Sequence, residues 1–153
     1  MLSKKCAHAI RAMMQLTLLR EADPDSRIKA AELAQQLNIP PAMLSKVLYG
    51  LTEHGLIQSF KGPSGGVLLH RTPSSIQILD IVHAVEGEEA FNHCIMGFEQ
   101  CSCNNPCPMH KHWKSSRASM IEHLATVNLS DWCHSRHRDL LSQLTDAQSG
   151  AGI

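Results

Sequence analysis

Lys29-Ala-Ala-Glu-Leu-Ala-Gln-Gln-Leu37-Asn38-Ile39-Pro40-Pro41-Ala42-Met43-Leu44-Ser45-Lys46-Val47-Leu48-Tyr49 and, just after it, Leu56-Ile57-Gln58-Ser59-Phe60-Lys61-Gly62-Pro63-Ser64-Gly65-Gly66-Val67-Leu68-Leu69-His70 decide the fold. Residues 29–37 predict a short helix, broken by Asn38-Ile39-Pro40. Pro41 suits the first turn of a second helix, which runs to about His54 before Gly55 stops it. Two short helices joined by a tight turn form a helix-turn-helix unit. The pattern then changes to two short apolar runs around a Gly-rich turn, which predicts a β-hairpin. A hairpin directly behind a helix-turn-helix is a wing, so the expected fold is mainly α with a small β-hairpin wing.

Upstream, Ile10, Met13, Met14, Leu16, Leu18 and Leu19 recur at helical spacing between Ser3 and Arg20, and Asp23-Pro24-Asp25 ends that first helix. Downstream, Ser74 or Ser75 is expected to cap a fourth helix reaching about Glu86, with Ile78, Leu79, Ile81, Val82 and Val85 as its apolar face. A long helix is expected from Pro108 to about Asn128. Its narrow stripe of Trp113, Met120, Leu124 and Val127 seeks a partner helix, from the same chain or a second copy. A short terminal helix, Ser135 to Leu144, and a disordered tail over 146–153 complete the expectation.

The 153 residues carry 14 Lys and Arg against 14 Asp and Glu. This balance hides an asymmetry: residues 1–71 hold nine basic against five acidic side chains, and residues 72–153 hold five against nine. A basic front half suits a polyanion. On the third helix the leucines face inward and leave Ala42, Ser45, Lys46 and Tyr49 exposed. Ser45 is then in reach of phosphate or a base edge, and Lys46 of phosphate or a guanine edge. Lys61 at the hairpin tip, with Gly62, Ser64 and Gly65 beside it, suits a minor-groove or backbone contact. As a set on one winged helix-turn-helix these residues predict binding to double-stranded DNA. No apolar run approaches membrane-spanning length and no leader opens the chain, so the expected location is cytoplasmic with no membrane partner.

Four of the six cysteines, Cys94, Cys101, Cys103 and Cys107, fall with His110 inside seventeen residues rich in turn formers. Such a loop lets several thiolates converge, as a soft metal centre requires. A disulfide knot conflicts with the reducing compartment that the chain implies. Zinc is the rival to iron-sulfur, although Cys101-x-Cys103 and Cys103-x3-Cys107 only partly match structural zinc knuckles. A thiol redox enzyme is disfavoured: no Cys-x-x-Cys lies beside a βαβ unit, and no Ser-His-Asp or paired-carboxylate set stands out. The chain is expected not to be an enzyme.

These stretches carry a family resemblance. Ser3-Lys4-Lys5, Ala9, Ala12-Met13, Leu33-Ala34 through Ile39, Leu44 through Leu48, Gly55-Leu56-Ile57, Lys61 through Gly66, Leu68-Leu69 and Ile78 through Val85 resemble the winged-helix transcription regulators of the IscR/NsrR family, the iron-sulfur cluster regulators and nitric-oxide sensors. Cys94, Cys101, Cys107, His110 and Trp113 match that family's cluster loop and the start of its dimer helix, and the resemblance spans about residues 2–145. It implies a homodimer crossed through the long helix, reading a palindromic operator and acting as a repressor. One [2Fe-2S] or [4Fe-4S] cluster per subunit gates that reading. It further implies three cysteine ligands, Cys94, Cys101 and Cys107, and a variable fourth. In some members the fourth is a histidine just beyond the last cysteine, here His110. In others it is an acidic residue in the partner's first helix, where this chain has Ala7. Cys103 is extra to the pattern and is the alternative fourth ligand. The implied organisation is a DNA-binding domain over 1–86, a cluster loop over 87–107, dimerisation and terminal helices over 108–145, and the tail. A zinc-bound or cluster-free regulator whose thiols sense oxidants directly is the alternative.

Overall fold

The computed structural model describes residues 2–99 and 101–134. Helix α1 spans Lys4–Ala22, two residues beyond the expected end, and Ser3 caps it by accepting the Cys6 N–H at 3.2 Å. Its inner face, with Cys6, Ala9, Ala12, Met13 and Leu16, is buried. Helix α2 (Ala30–Leu37) ends on Asn38 in the left-handed region at φ 50°, a conformation that asparagine tolerates. The buried Arg11 of α1 donates from Nη2 to the carbonyl of Leu37 at 2.6 Å, so a cation sits on the C-terminus of α2.

Helix α3 (Pro41–Glu53) buries Leu44, Val47, Leu48 and Leu51, one face repeating at helical spacing. Gly50 lets α3 approach α4, because a Cβ there would stand 2.9 Å from the Ala84 carbonyl oxygen. The wing pairs β1 (Ile57–Phe60) with β2 (Gly66–Leu69), in a register that sets Ile57 opposite Leu69 and Phe60 opposite Gly66. Ile28 adds an antiparallel bridge to Val67, so the segment before α2 forms a short third edge of the wing.

Helix α4 spans Ile78–Glu86, but Ser74 and Ser75 do not cap it. Pro73–Ser75 form a 3-10 turn, and Ile76, fully buried, holds the chain extended before the helix begins. The cap falls to Gln77, whose N–H is accepted by Asp80 Oδ2 at 3.0 Å. A second 3-10 turn, Glu88–Phe91, opens the cysteine-rich loop, and α5 (His110–Thr126) follows it. Helix α5 starts two residues later and ends two earlier than expected, and none of its residues is buried in the single chain.

Helix α6 (Leu129–His134) lies just ahead of where a terminal helix was expected. Asn128 Oδ1 accepts the Asp131 N–H at 2.9 Å and starts it. The predicted helix Ser135–Leu144 and the tail lie outside the described residues. Leu129 and Cys133 belong to the same apolar core as α1 through α4, and Ile78 and Ile76 bond through their backbones to Val127 and Leu129 at 3.0 and 2.8 Å.

Candidate metal centre and nucleic-acid interface

The loop between α4 and α5 is held by α5 at its α4 end. Trp113 Nε1 donates to the His93 carbonyl at 3.0 Å, and Arg117 Nη1 donates to the Phe91 carbonyl at 3.1 Å, so one face of α5 grips the segment leading to Cys94. Inside, short turns close on themselves: Gly97 N–H to Cys94 O at 2.9 Å, Asn105 N–H to Ser102 O at 3.2 Å, and His110 N–H to Cys107 O at 2.9 Å. These turns bring the sulfurs of Cys94, Cys101 and Cys107 within 4.8 Å of one another.

Cys94 and Cys107 Sγ stand 3.7 Å apart, and beside the trio His110 Nδ1 stands 3.3 Å from Cys101 Sγ. Two thiolates sharing one tetrahedral ion at about 2.3 Å lie about 3.8 Å apart, so the donor set fits a soft metal centre. Cys103 is outside the trio: its sulfur faces His110 Nε2 at 3.6 Å, with Lys114 Nζ at 3.9 Å. The imidazole thus stands between the cysteine trio and Cys103. A ligating histidine ordinarily has its second nitrogen held by a hydrogen-bond partner, and Cys103 occupies that position.

The thiols are tuned apart. Backbone N–H groups of Phe98 and Met96 favour the Cys94 thiolate, and against some burial they lower its pKa. Cys101 is held by the Cys107 N–H, but burial and the neighbouring Cys107 and Cys94 sulfurs outweigh it and push its pKa up. Ile95, Met96, Phe98 and Met109 around the loop are exposed apolar residues. Cys6 and Cys133 are buried away from the loop, and burial, followed by the charge of Glu86, raises the Cys6 pKa to about 11.

Of the sequence-predicted DNA-facing residues, Ser45, Tyr49, Gly62 and Gly65 line one groove between α3 and the wing. Ala42, Ser45, Lys46, Tyr49, Lys61, Gly62 and Ser64 are exposed, with Tyr49 at 69%. Ser45 Oγ donates to the Pro41 carbonyl at 2.9 Å, which leaves its lone pairs available to accept. Gly65 is part of the wing's architecture, since a Cβ there would lie 2.3 Å from the Phe60 carbonyl oxygen. Sequence reasoning missed Arg27, whose guanidinium lies 3.8 Å over the Phe60 ring, and the anchoring roles of Trp113 and Arg117.

A winged helix-turn-helix joined to a loop of three converging cysteines is the architecture of a transcription regulator with a candidate metal centre. Residues 2–135 match the Rrf2 family, described as iron-dependent transcriptional regulators, and the chain belongs to that family of DNA-binding proteins. It is 27% identical over 130 residues to the HTH-type transcriptional regulator IscR of Escherichia coli K12, covering 85% of this chain and 78% of that one. Its fold is similar to CymR, the global cysteine regulator of B. subtilis, with TM-score 0.69, 22% identity and coverage of 87% and 95%. It is also similar in fold to T. potens IscR, with TM-score 0.64, 22% identity and coverage of 97% and 90%.

Proposed function

We propose that the protein is a homodimeric repressor whose affinity for a palindromic operator is gated by an iron-sulfur cluster held by Cys94, Cys101, Cys107 and His110. The observation that carries this reading is the convergence of the three sulfurs, with His110 at their rim, at the start of α5. The family's iron-dependent description and the similarity to IscR support iron over other metals. When bound, the cluster supplies sensitivity to oxidation, nitrosylation and iron shortage. Cytoplasmic reduction would keep the ligating thiols free.

Dimerisation through α5 is supported by its exposure: 17 residues form the helix, none is buried, and Trp113, Met120, Ile121 and Leu124 are only half covered. A long helix with a half-covered apolar stripe seeks a second helix. This chain's residues also offer a route from loop to heads. The cysteine loop begins directly after α4, the end of α4 is tied to the start of α1, and Arg11 of α1 holds the end of α2. A dimer reading two half-sites is sensitive to head spacing, so a change in loop geometry alters operator affinity.

The test is DNA binding by one anaerobic preparation before and after chelation and re-loading with iron and sulfide. The reading requires affinity to change on stripping and to return on re-loading, and equal affinity in all three states contradicts it. The close sulfur spacing also favours a second reading. Three thiolates mutually within 4.8 Å plus an imidazole make a tetrahedral set for a single zinc ion, which would fix the loop without redox sensing.

A further inference from the structure

Between α3 and the wing runs a groove whose part in recognition is not assigned above. It is lined by Lys29, Ser45, Tyr49, Thr52, Ser59 and the glycines at 62, 65 and 66, with Glu53 at its side. We propose that the phosphodiester backbone of one operator strand runs through this groove and that Arg27 and Lys29 are its cationic contacts. The inference rests on reading α3 and the wing as the DNA-binding face.

If α3 lies in the major groove and the wing tip in the adjacent minor groove, the sugar-phosphate strand dividing those grooves must pass between them. On the wing side Ser59, Phe60 and Val67 line that passage, and glycines at 62, 65 and 66 leave backbone alone beside them. Gly66 is fixed by φ 146° and by contact with Ile28, because a Cβ there would stand 2.8 Å from the Ile28 carbonyl oxygen. The same contact positions the two cations. Ile28 is bridged to Val67, so Arg27 and Lys29, on either side of it, are attached to the wing's edge instead of to a free loop.

Arg27 is held further by the Phe60 ring, 3.8 Å beneath its guanidinium, which orients the planar fork and leaves it exposed. Lys29 precedes α2, lines the groove and is exposed. Tyr49 and Ser59 line the same passage with hydroxyls suited to phosphate oxygens. Glu53 is the acidic lining residue among the described residues, so the strand passes on the Lys29 side.

The test uses the cluster-loaded full chain and a fluorescent mixed-sequence duplex of about 30 base pairs, long enough for two half-sites one turn apart. Anisotropy titrations across a salt series give the slope of log affinity against log salt. Arg27→Ala and Lys29→Ala should each lower the slope by about one unit per head and weaken binding on the order of tenfold at about 0.1 M salt. The difference should close as salt rises. Lys111→Ala, an equal charge change on α5, should leave the slope at the wild-type value. Unchanged slopes for Arg27→Ala and Lys29→Ala, with Lys61→Ala still lowering it, overturn the groove assignment and leave the wing reading standing. An equal fall for Lys111→Ala also overturns it, as an effect of overall charge. Failure of the wild-type chain to bind duplex overturns both readings.

Discussion

Ser3 donates its backbone N–H to Glu86 Oε1 at 3.2 Å, and its hydroxyl bonds to the same carboxylate oxygen. The residue that caps α1 is thereby tied to the last residue of α4, one residue ahead of the segment that carries the cysteines. Lys5 Nζ adds a bond to the Val85 carbonyl at 3.1 Å. The start of α1 is thus fastened to the root of the cysteine loop by contacts that cross 80 and 83 residues of sequence.

Glu86→Ala should therefore lower stability by only about 1 kcal/mol, since the lost bonds are exposed. It should reduce the ratio of operator affinities between cluster-loaded and stripped protein. Urea melts and paired binding curves measure the two effects. A full wild-type ratio in a variant of unchanged fold would remove this tie from the coupling route.

Loss of any one of Cys94, Cys101 or Cys107 to Ala should release most of the bound iron, because each supplies one of three converging sulfurs. Cys6→Ala and Cys133→Ala should retain it, both residues being buried outside the loop. Iron and sulfide assays on the five variants decide this, and full iron in Cys107→Ala contradicts the ligand set.

His110→Ala should change the absorption spectrum and speed cluster loss, whereas Cys103→Ser should leave both close to wild type. His110 Nδ1 faces Cys101 at 3.3 Å, while Cys103 reaches only the far nitrogen of that ring. The opposite pattern would move the fourth ligand to Cys103.

The first five helices, the wing and the gathering of cysteines in one loop were legible in the sequence because each rests on local signals: Pro41 at a helix start, Gly62 through Gly66 at a turn, and four cysteines within fourteen residues. What escaped were relations between distant segments. Ser74 and Ser75 look like caps, but the burial of Ile76 moves the helix start to Ile78. Nothing local shows that Gly50 makes room for the Ala84 carbonyl. Nothing local marks Arg11 as the residue that holds the end of α2, or Trp113 as the anchor of His93.

Cys6 should make stability fall in alkali. Its folded pKa is raised from the ordinary thiol value near 9 to about 11, by burial and then by Glu86. A raised acid binds its proton more tightly in the fold than in the unfolded chain. Its stabilising contribution is therefore complete below about pH 9 and is lost as pH rises toward 11. Chemical denaturation at pH 8 and above pH 10 should show the loss in wild type and a smaller one in Cys6→Ala. Equal losses would assign the alkaline limb to other groups.

Lys61→Ala should weaken binding to all duplexes about alike and reduce the salt slope by roughly one unit per head, as for a lost phosphate contact. Lys46→Ala, on the exposed face of α3, should in addition relax preference at one operator position by on the order of 1–3 kcal/mol. Selection of binding sequences from a random pool, followed by affinity measurements, separates the two. Unchanged affinity in both variants at moderate salt would take the DNA contact away from α3 and the wing.

The central claim is that Cys94, Cys101, Cys107 and His110 hold an iron-sulfur cluster, and anaerobic absorption and Mössbauer spectroscopy with parallel metal and sulfide counts test it most directly. The account predicts coloured protein with iron and acid-labile sulfide in equal amounts on each subunit. Colourless protein carrying one zinc per subunit would contradict it.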